Sequence, residues 1–447
     1  MPSRVRTPPA ASSGQRARLI VGMTQAAARH GYKDASVARV VEQAGVSRAT
    51  FYEHFVDKEA CFLAAFEQAA ARLRLAIPRI ETEYSPALRA AQLLDDLLES
   101  IVRDPAAARI LLVEALAGGP LVRQAHNGFM ATVEATFERW LEGPGENGYR
   151  LDISGRAIME GTSGILITRA FHGETARVAE LRDDLLAWLY RYSVPEGQPR
   201  IGPAEWARLG AELGASLSVP ESPAPPAARL PRGKGAVAPA RVAAEHRERI
   251  LVAVAALVRT KGFAPMTVAD IVKRASVTRA AFYANFRSKE DAFLAAQAAG
   301  LQASIAVTAA SFFAGETWPL RVWEGLEALL GFVAARPDTI YLDVIESVAA
   351  GAAASRRSFD NRMAYTLFLE DGYRQRPAAE GLPRLCSEAI CGAILGLMRW
   401  EVVEGRTERM LELLPQAAYL ALAPFIGTAA AVRLVKAKVR GEEVPTA

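Results

Sequence analysis

Cysteine is scarce in this chain. Three in 447 residues are too few for a disulfide framework. Cys386 and Cys391 fall close together, and Cys61 sits in an apolar run of helical period. All three are therefore expected to be buried free thiols of a cytoplasmic protein. Histidine is almost as rare: the five are scattered and show no metal-ligand spacing. No glycine-rich loop of the kind that cradles phosphate precedes a helix. The sequence thus argues against a metal site, a bound cofactor and an enzyme. Residues 1–14, rich in Pro, Ser and Arg, lack the apolar core of a signal peptide and read as a disordered tail. Strand signals are nearly absent. Only two long stretches lack charge, 292–315 and 413–432. The first is Ala-rich and includes Gln297, Gln302 and Ser304; the second is interrupted by Pro415 and Pro424. Both are expected to be buried helices of a bundle, with no membrane as partner.

What is present is apolar, helical and duplicated. Hydrophobic residues make up 51% of the chain, and apolar positions recur with period 3.6, so the fold class is all-α. Six prolines between residues 216 and 240 (Pro220, Pro223, Pro225, Pro226, Pro231, Pro239) exclude a helix there and mark a linker. Fully stretched, such a segment reaches roughly 80 Å at about 3.3 Å per residue. It separates two copies of one pattern. Residues 31–65 align without a gap on residues 262–296, with 17 of 35 positions identical. At an offset of 232 the likeness continues weakly: Val113-Glu114-Ala115 faces Ile345-Glu346-Ser347, and Ala157, Ile158 and Gly164 face Ala389, Ile390 and Gly396. The net charge of +4 is uneven. Residues 1–60 hold nine Lys/Arg against five Asp/Glu (+4), and residues 229–290 hold thirteen against four (+9), so the remainder sums to −9. Basic charge concentrated on the two copies is the footprint of nucleic-acid contact.

In the first copy, helical period runs over about 15–30 with Leu19, Ile20, Met23 and Ala27 on one face, and Gly31 ends it. A second helix follows Ser36 and carries Val37, Val40 and Val41 inward. Gly45 makes the turn, Ser47 caps a third helix over 48–55, and Asp57 caps a fourth opening at Lys58. Two short helices joined by a tight turn form a helix-turn-helix, whose second helix enters the major groove of DNA. The residue types suit that role. Arg48 reaches bases or phosphate, and small Ala49 and Thr50 allow close approach. Ser36 and Ser47 place free backbone N–H groups where phosphate binds. Phe51 and Phe55 face the core.

The run Val46-Ser47-Arg48-Ala49-Thr50-Phe51-Tyr52-Glu53-His54-Phe55-Val56-Asp57-Lys58-Glu59 resembles the signature of the tetracycline-repressor (TetR) family. The run Val277 to Glu290 is similar. The resemblance implies a tandem regulator: two subunits, each a three-helix DNA-binding domain followed by a larger helical domain that binds a small molecule and dimerises. The implied domains are 15–60 and 61–215, the 216–240 linker, then 241–290 and 291–440. Tyr52 and Tyr283 would bond phosphate through the ring hydroxyl, and Lys58 and Lys289 would contact backbone phosphate. His54 would do likewise or pack at the helix end. Arg48, Ala49 and Thr50, with Arg279, Ala280 and Ala281, would face the groove. Thr267 and Thr278 stand at the helix starts of the second copy, as Ser36 and Ser47 do in the first. That copy departs at Ser276, where the turn glycine is expected, at Ala281, which lacks the Thr50 hydroxyl, and at Asn285, in place of His54.

The resemblance also places a four-helix interface in the helical domains, expected at about 154–172 and 175–192 with 385–404 and 407–426. Gly161, Gly164, Gly392 and Gly396 would let those helices approach closely. Because one chain owns two reading helices, the halves are expected to pair within the chain as a pseudo-dimer, with a further dimer of chains left open. The partners implied are a double-stranded DNA operator, read as an imperfect palindrome, and a small hydrophobic effector that releases it. Phe129, Trp140 and Phe171 are candidates to line the effector pocket. The competing reading is a ligand-responsive interaction protein whose second DNA-binding unit is partly degenerate.

Overall fold

A computed structural model describes residues 10–76, 86–141, 149–195, 201–219, 239–375 and 377–443. Most of the 1–14 tail and of the Pro-rich segment lies outside them. Among the described residues the first half holds ten α-helices: α1 (Ala10–His30), α2 (Val37–Ala44), α3 (Arg48–His54), α4 (Lys58–Ala76), α5 (Pro86–Arg103), α6 (Pro105–Leu112), α7 (Pro120–Leu141), α8 (Gly155–Phe171), α9 (Arg182–Tyr190) and α10 (Pro203–Gly214). The second half opens with α11 (Pro239–Lys261), α12 (Val268–Ala275), α13 (Arg279–Asn285) and α14 (Lys289–Phe312). It continues with α15 (Trp318–Ala335), α16 (Pro337–Ile340), α17 (Ser347–Ala350), α18 (Ala352–Ala364), α19 (Leu385–Val403), α20 (Leu414–Ile426) and α21 (Thr428–Arg440). Turns of 3₁₀ helix over Thr175–Leu181 and Thr407–Leu413 lead into α9 and α20. Among the described residues the chain is all-α apart from one short antiparallel pair, β1 (Tyr149–Leu151) with β2 (Ser193–Pro195), Arg150 opposite Val194. Three residues are too few to show the period-2 alternation by which a strand is read from sequence.

The chain divides into two compact units. The first comprises Met1–Tyr84, Arg89–Ala135 and Leu166–Arg182. Its core gathers Leu19 and Met23 of α1, Val40 of α2, Phe51 of α3, Phe62 and Phe66 of α4, and Ile110 of α6. Local sequence sets the breaks between these helices. Ser36 Oγ accepts from Arg39 N at the start of α2, Ser47 Oγ from Thr50 N at the start of α3, and Asp57 Oδ1 from Ala60 N at the start of α4. Gly45 ends α2 in the left-handed region, φ 61°.

The second unit comprises Ser85–Leu88, Thr136–Ile165 and Asp183–Ala447. One part, the α11–α14 head, repeats the α1–α4 head of the first unit: Ile250, Val254 and Val258 of α11, Ile271 of α12, Phe282 of α13 and Phe293 of α14 form its core. The uncharged runs diverge. Residues 417–425 of α20 are buried throughout, as expected. In α14, long and apolar enough to cross a membrane by length and composition, 33% of the apolar window is buried. Part of the remainder lines a cavity.

Within this unit, the 155–165 part of α8 crosses α19 at glycine. A Cβ on Gly161 would lie 2.9 Å from Ala389 O, and one on Gly392 would lie 3.3 Å from Gly161 Cα. A Cβ on Gly164 would sit 3.5 Å from Gly392 Cα, and one on Gly396 would strike the Glu160 side chain. Under the repeat offset, Glu160 aligns with Gly392 and Gly164 with Gly396. The pairs 160·396 and 164·392 therefore exchange, as contacts across a two-fold axis do. Glu160 Oε1 accepts from Arg399 Nη2 at 2.5 Å beside the crossing, and Tyr192, just beyond α9, donates its hydroxyl to Leu420 O of α20 at 2.8 Å.

Candidate nucleic-acid interface

Each head builds the same exposed surface from the same local rules. In the first, α3 is anchored by Phe51, fully buried, and by Phe55 at its C-cap, with ring centroids 5.8 Å apart. That anchoring turns Arg48, Ala49 and Tyr52 outward. Tyr52 is 50% exposed, its ring edge-on to Phe51 at 5.3 Å and the Arg48 guanidinium 5.8 Å from its centroid. In the second head, Phe282 and Phe286 are 5.9 Å apart and Tyr283 is 48% exposed. Tyr283 lies 5.3 Å from Phe282, and Arg279 lies 5.8 Å from the tyrosine ring. Ala280 is exposed beside it. Arg16 over Phe55 and Arg247 over Phe286 repeat as well.

The capping hydroxyls are partly committed. Ser47 Oγ and Thr50 Oγ1 lie 2.9 Å apart, so the Thr50 hydroxyl is engaged at the helix start. Thr278 caps α13 by accepting from Ala281 N. Thr267 closes a capping box with Asp270, whose carboxylate also takes the Lys261 ammonium; hydrogen bonds from that ammonium, first, and from Thr267 hold the Asp270 acid far below the ordinary range. Ser36 caps α2. Asn285 donates Nδ2 to Ala281 O within its own helix, while His54 is half-buried at the end of α3 with Nε2 buried and unpartnered.

Both lysines reach backbone carbonyls of their own heads. Lys58 Nζ donates to Tyr32 O and Lys33 O and stands 4.3 Å from the Tyr32 ring centroid. Lys289 Nζ donates to Phe263 O, Ala264 O and Met266 O. An ammonium has three donors. Lys289 directs its ammonium at the loop after α11 and holds that loop's shape. Burial lowers the Lys58 pKa, against the opposing pull of Asp34.

Sequence reasoning passed over three features. The loop that follows the first helix of each head is held by a carboxylate of the helical body: Tyr32 N donates to the buried Glu114 Oε2 at 2.7 Å, and Phe263 N to the half-buried Glu346 Oε2 at 2.9 Å. Burial raises the Glu114 pKa despite the Tyr32 amide and the Arg109 guanidinium at 3.1 Å. The aligned pair of glutamates in apolar surroundings was the available signal. Second, α12 ends on exposed Lys273 and Arg274, where α2 has Glu42 and Gln43. Third, the cavities did not follow the aromatic candidates alone. Phe129 packs edge-on against Phe66 and lines a cavity of about 400 Å³ in the first unit. Phe171 lies under the Arg109 guanidinium, and the Trp140 side chain falls outside the described residues. A cavity of about 130 Å³ lies in the second unit, between α14, α15, α18 and α19.

The profile of the bacterial regulatory proteins of the tetR family matches twice, over residues 22–65 and 250–296, which are the two heads. The HTH-type transcriptional repressor AcnR of Corynebacterium diphtheriae is 41% identical over 61 residues, 14% of this chain and 32% of that protein. AcnR of Corynebacterium glutamicum is 39% identical over 61 residues, 14% of this chain and 32% of that protein. The chain thus spans about a third of the length of the curated relatives it matches. Among solved structures, a TetR family transcription regulator from Marinobacter aquaeolei aligns with a TM-score of 0.34 at 18% identity, covering 41% of this chain and 98% of that one. FadR from Bacillus subtilis, in complex with stearoyl-CoA, aligns with a TM-score of 0.33 at 18% identity, covering 39% and 96%.

Proposed function

Because the chain belongs to the tetR family of bacterial regulatory proteins, with the family's DNA-binding domain present twice, we propose that it is a transcription repressor that reads one operator with two unequal helices, α3 and α13. The observation that carries this reading is the repeated surface: Arg48 with Tyr52 and Arg279 with Tyr283, in the same geometry on two capped helices. Arg48, Ala49 and Thr50, and Arg279 and Ala280, meet base edges. Tyr52 and Tyr283 bond phosphate, and the helix starts at Ser36, Ser47, Thr267 and Thr278 supply backbone donors. The second head lacks the Thr50 hydroxyl but carries Lys273 and Arg274. Its binding rests more on phosphate and falls more steeply with salt.

The two heads work as an intramolecular pair, released when a small molecule enters the helical part. The crossing of α8 and α19 supports this, since its contacts exchange between the repeats. Light scattering with footprinting tests it. A 48.1 kDa chain protecting two different half-sites one DNA turn apart is expected. A mass of about 96 kDa over two identical half-sites would mean pairing between chains. An operator affinity unchanged by Tyr283→Phe would favour a second head that no longer reads DNA.

A further inference from the structure

The cavity between α14, α15, α18 and α19 is apolar over most of its wall, where Phe312, Phe332, Phe368, Leu329 and Met398 meet. Its volume of about 130 Å³ is close to that of an engineered Leu/Ile/Phe-lined cavity that takes benzene. The occupant it fits is therefore the size of one ring.

One part of the wall is polar. Asp343 Oδ1 accepts from Gln297 Nε2 at 2.7 Å and from Asn361 Nδ2 at 2.9 Å. Gln297 Nε2 also donates to Ala354 O, so both of its hydrogens are used and the amide orientation is fixed. The hydroxyls are satisfied: Tyr365 pairs with the Ser304 hydroxyl at 2.6 Å, Ser304 donates to the Leu301 carbonyl, and Thr308 to the Ser304 carbonyl. Two buried atoms remain without a partner, the acceptor Gln297 Oε1 and the donor Arg362 Nε. Buried polar groups are nearly always hydrogen-bonded, and each exception calls for an explanation.

Charge narrows the choice further. Burial lowers the pKa of the Arg362 cation, against the opposing pull of Glu160 and Asp343. A charged occupant would leave one charge uncompensated in an apolar surrounding. We propose that this cavity is a ligand site for an uncharged, one-ring apolar molecule bearing a single donor–acceptor group, such as a phenol or a carboxamide, which donates to Gln297 and accepts from Arg362. As the effector site of the second half, it rests on the regulator reading above.

Calorimetry on the full chain with phenol, benzamide, benzoate and benzylammonium tests the site. Phenol or benzamide is expected to bind, with both ions weaker by roughly tenfold or more. Leu329→Trp, which fills the cavity, is expected to abolish binding while far-ultraviolet dichroism stays helical. No binding by either neutral probe, equal binding of benzoate, or full binding by a folded Leu329→Trp protein would overturn the proposal. If that variant does not fold, the neutral-against-charged comparison on the natural chain decides alone. Operator binding is measured in parallel. DNA bound with no probe binding sinks this site and leaves the regulator standing. Phenol bound without loosening DNA keeps the site and removes its role as effector.

Discussion

Ser276 holds φ 51° and ψ 42° at the end of α12, nearly the values of Gly45 at the end of α2. It is the only non-glycine residue with positive φ among those described. A side chain in that region costs roughly 1–2 kcal/mol, of which glycine gives part back through its freedom in the unfolded chain. Ser276→Gly is therefore expected to stabilise the second head by about 0.5–1 kcal/mol, read as a shifted denaturant midpoint. An unchanged midpoint would mean that the surroundings already relieve the strain. Arg249 is placed to do so, donating Nη2 to both Ala275 O and Ser276 O. At this scale the sequence was informative where chemistry is local. Ser36, Ser47 and Asp57 cap the helices whose starts they marked. It did not reveal the acceptors of Lys289, because the carbonyls that take its ammonium come from a loop 23 to 26 residues earlier.

The elements were legible wherever apolar period and caps coincide, as in α2, α3, α12 and α13. They were not where tertiary packing decides. The two carboxylate clasps show this best, since Glu114 and Glu346 act across separations of 82 and 83 residues. Each joins a helical body to the loop that sets the angle between the first two helices of its head. Glu114→Leu or Glu346→Leu leaves a backbone N–H without an acceptor, at a cost of about 1–3 kcal/mol. Faster hydrogen exchange at Tyr32 or Phe263 is expected with it, whereas the glutamine variants keep an acceptor and most of the stability. Exchange that stays slow in the leucine variants would show that the loop is held by Lys58 or Lys289 alone. The second-unit cavity escaped sequence reasoning for a related reason. A gap between α14 and α15 is a property of how helices meet, and no spacing within one helix announces it.

For the whole molecule, the duplication was readable from the aligned copies, and the glycines of α8 and α19 from their cost to a helix. Gly161→Leu forces a side chain against Ala389 O and Trp188. It is expected to lower the melting temperature by several degrees, as an overpacked crossing does at about 1–3 kcal/mol, and to weaken operator binding if the heads are paired through it. Gly128→Ala, where an added Cβ meets nothing within 4 Å, is the control. An unaltered melt for Gly161→Leu would remove the crossing from the account. The Glu160–Arg399 pair at this crossing has no mirror image. The position aligned with Glu160 is Gly392, and the one aligned with Arg399 is Ile167. Neither half could recreate that ion pair against a second copy of itself. Duplication followed by fusion thus turns a self-complementary surface into a matched lock and key, and lets each copy drift in sequence so long as the other drifts with it.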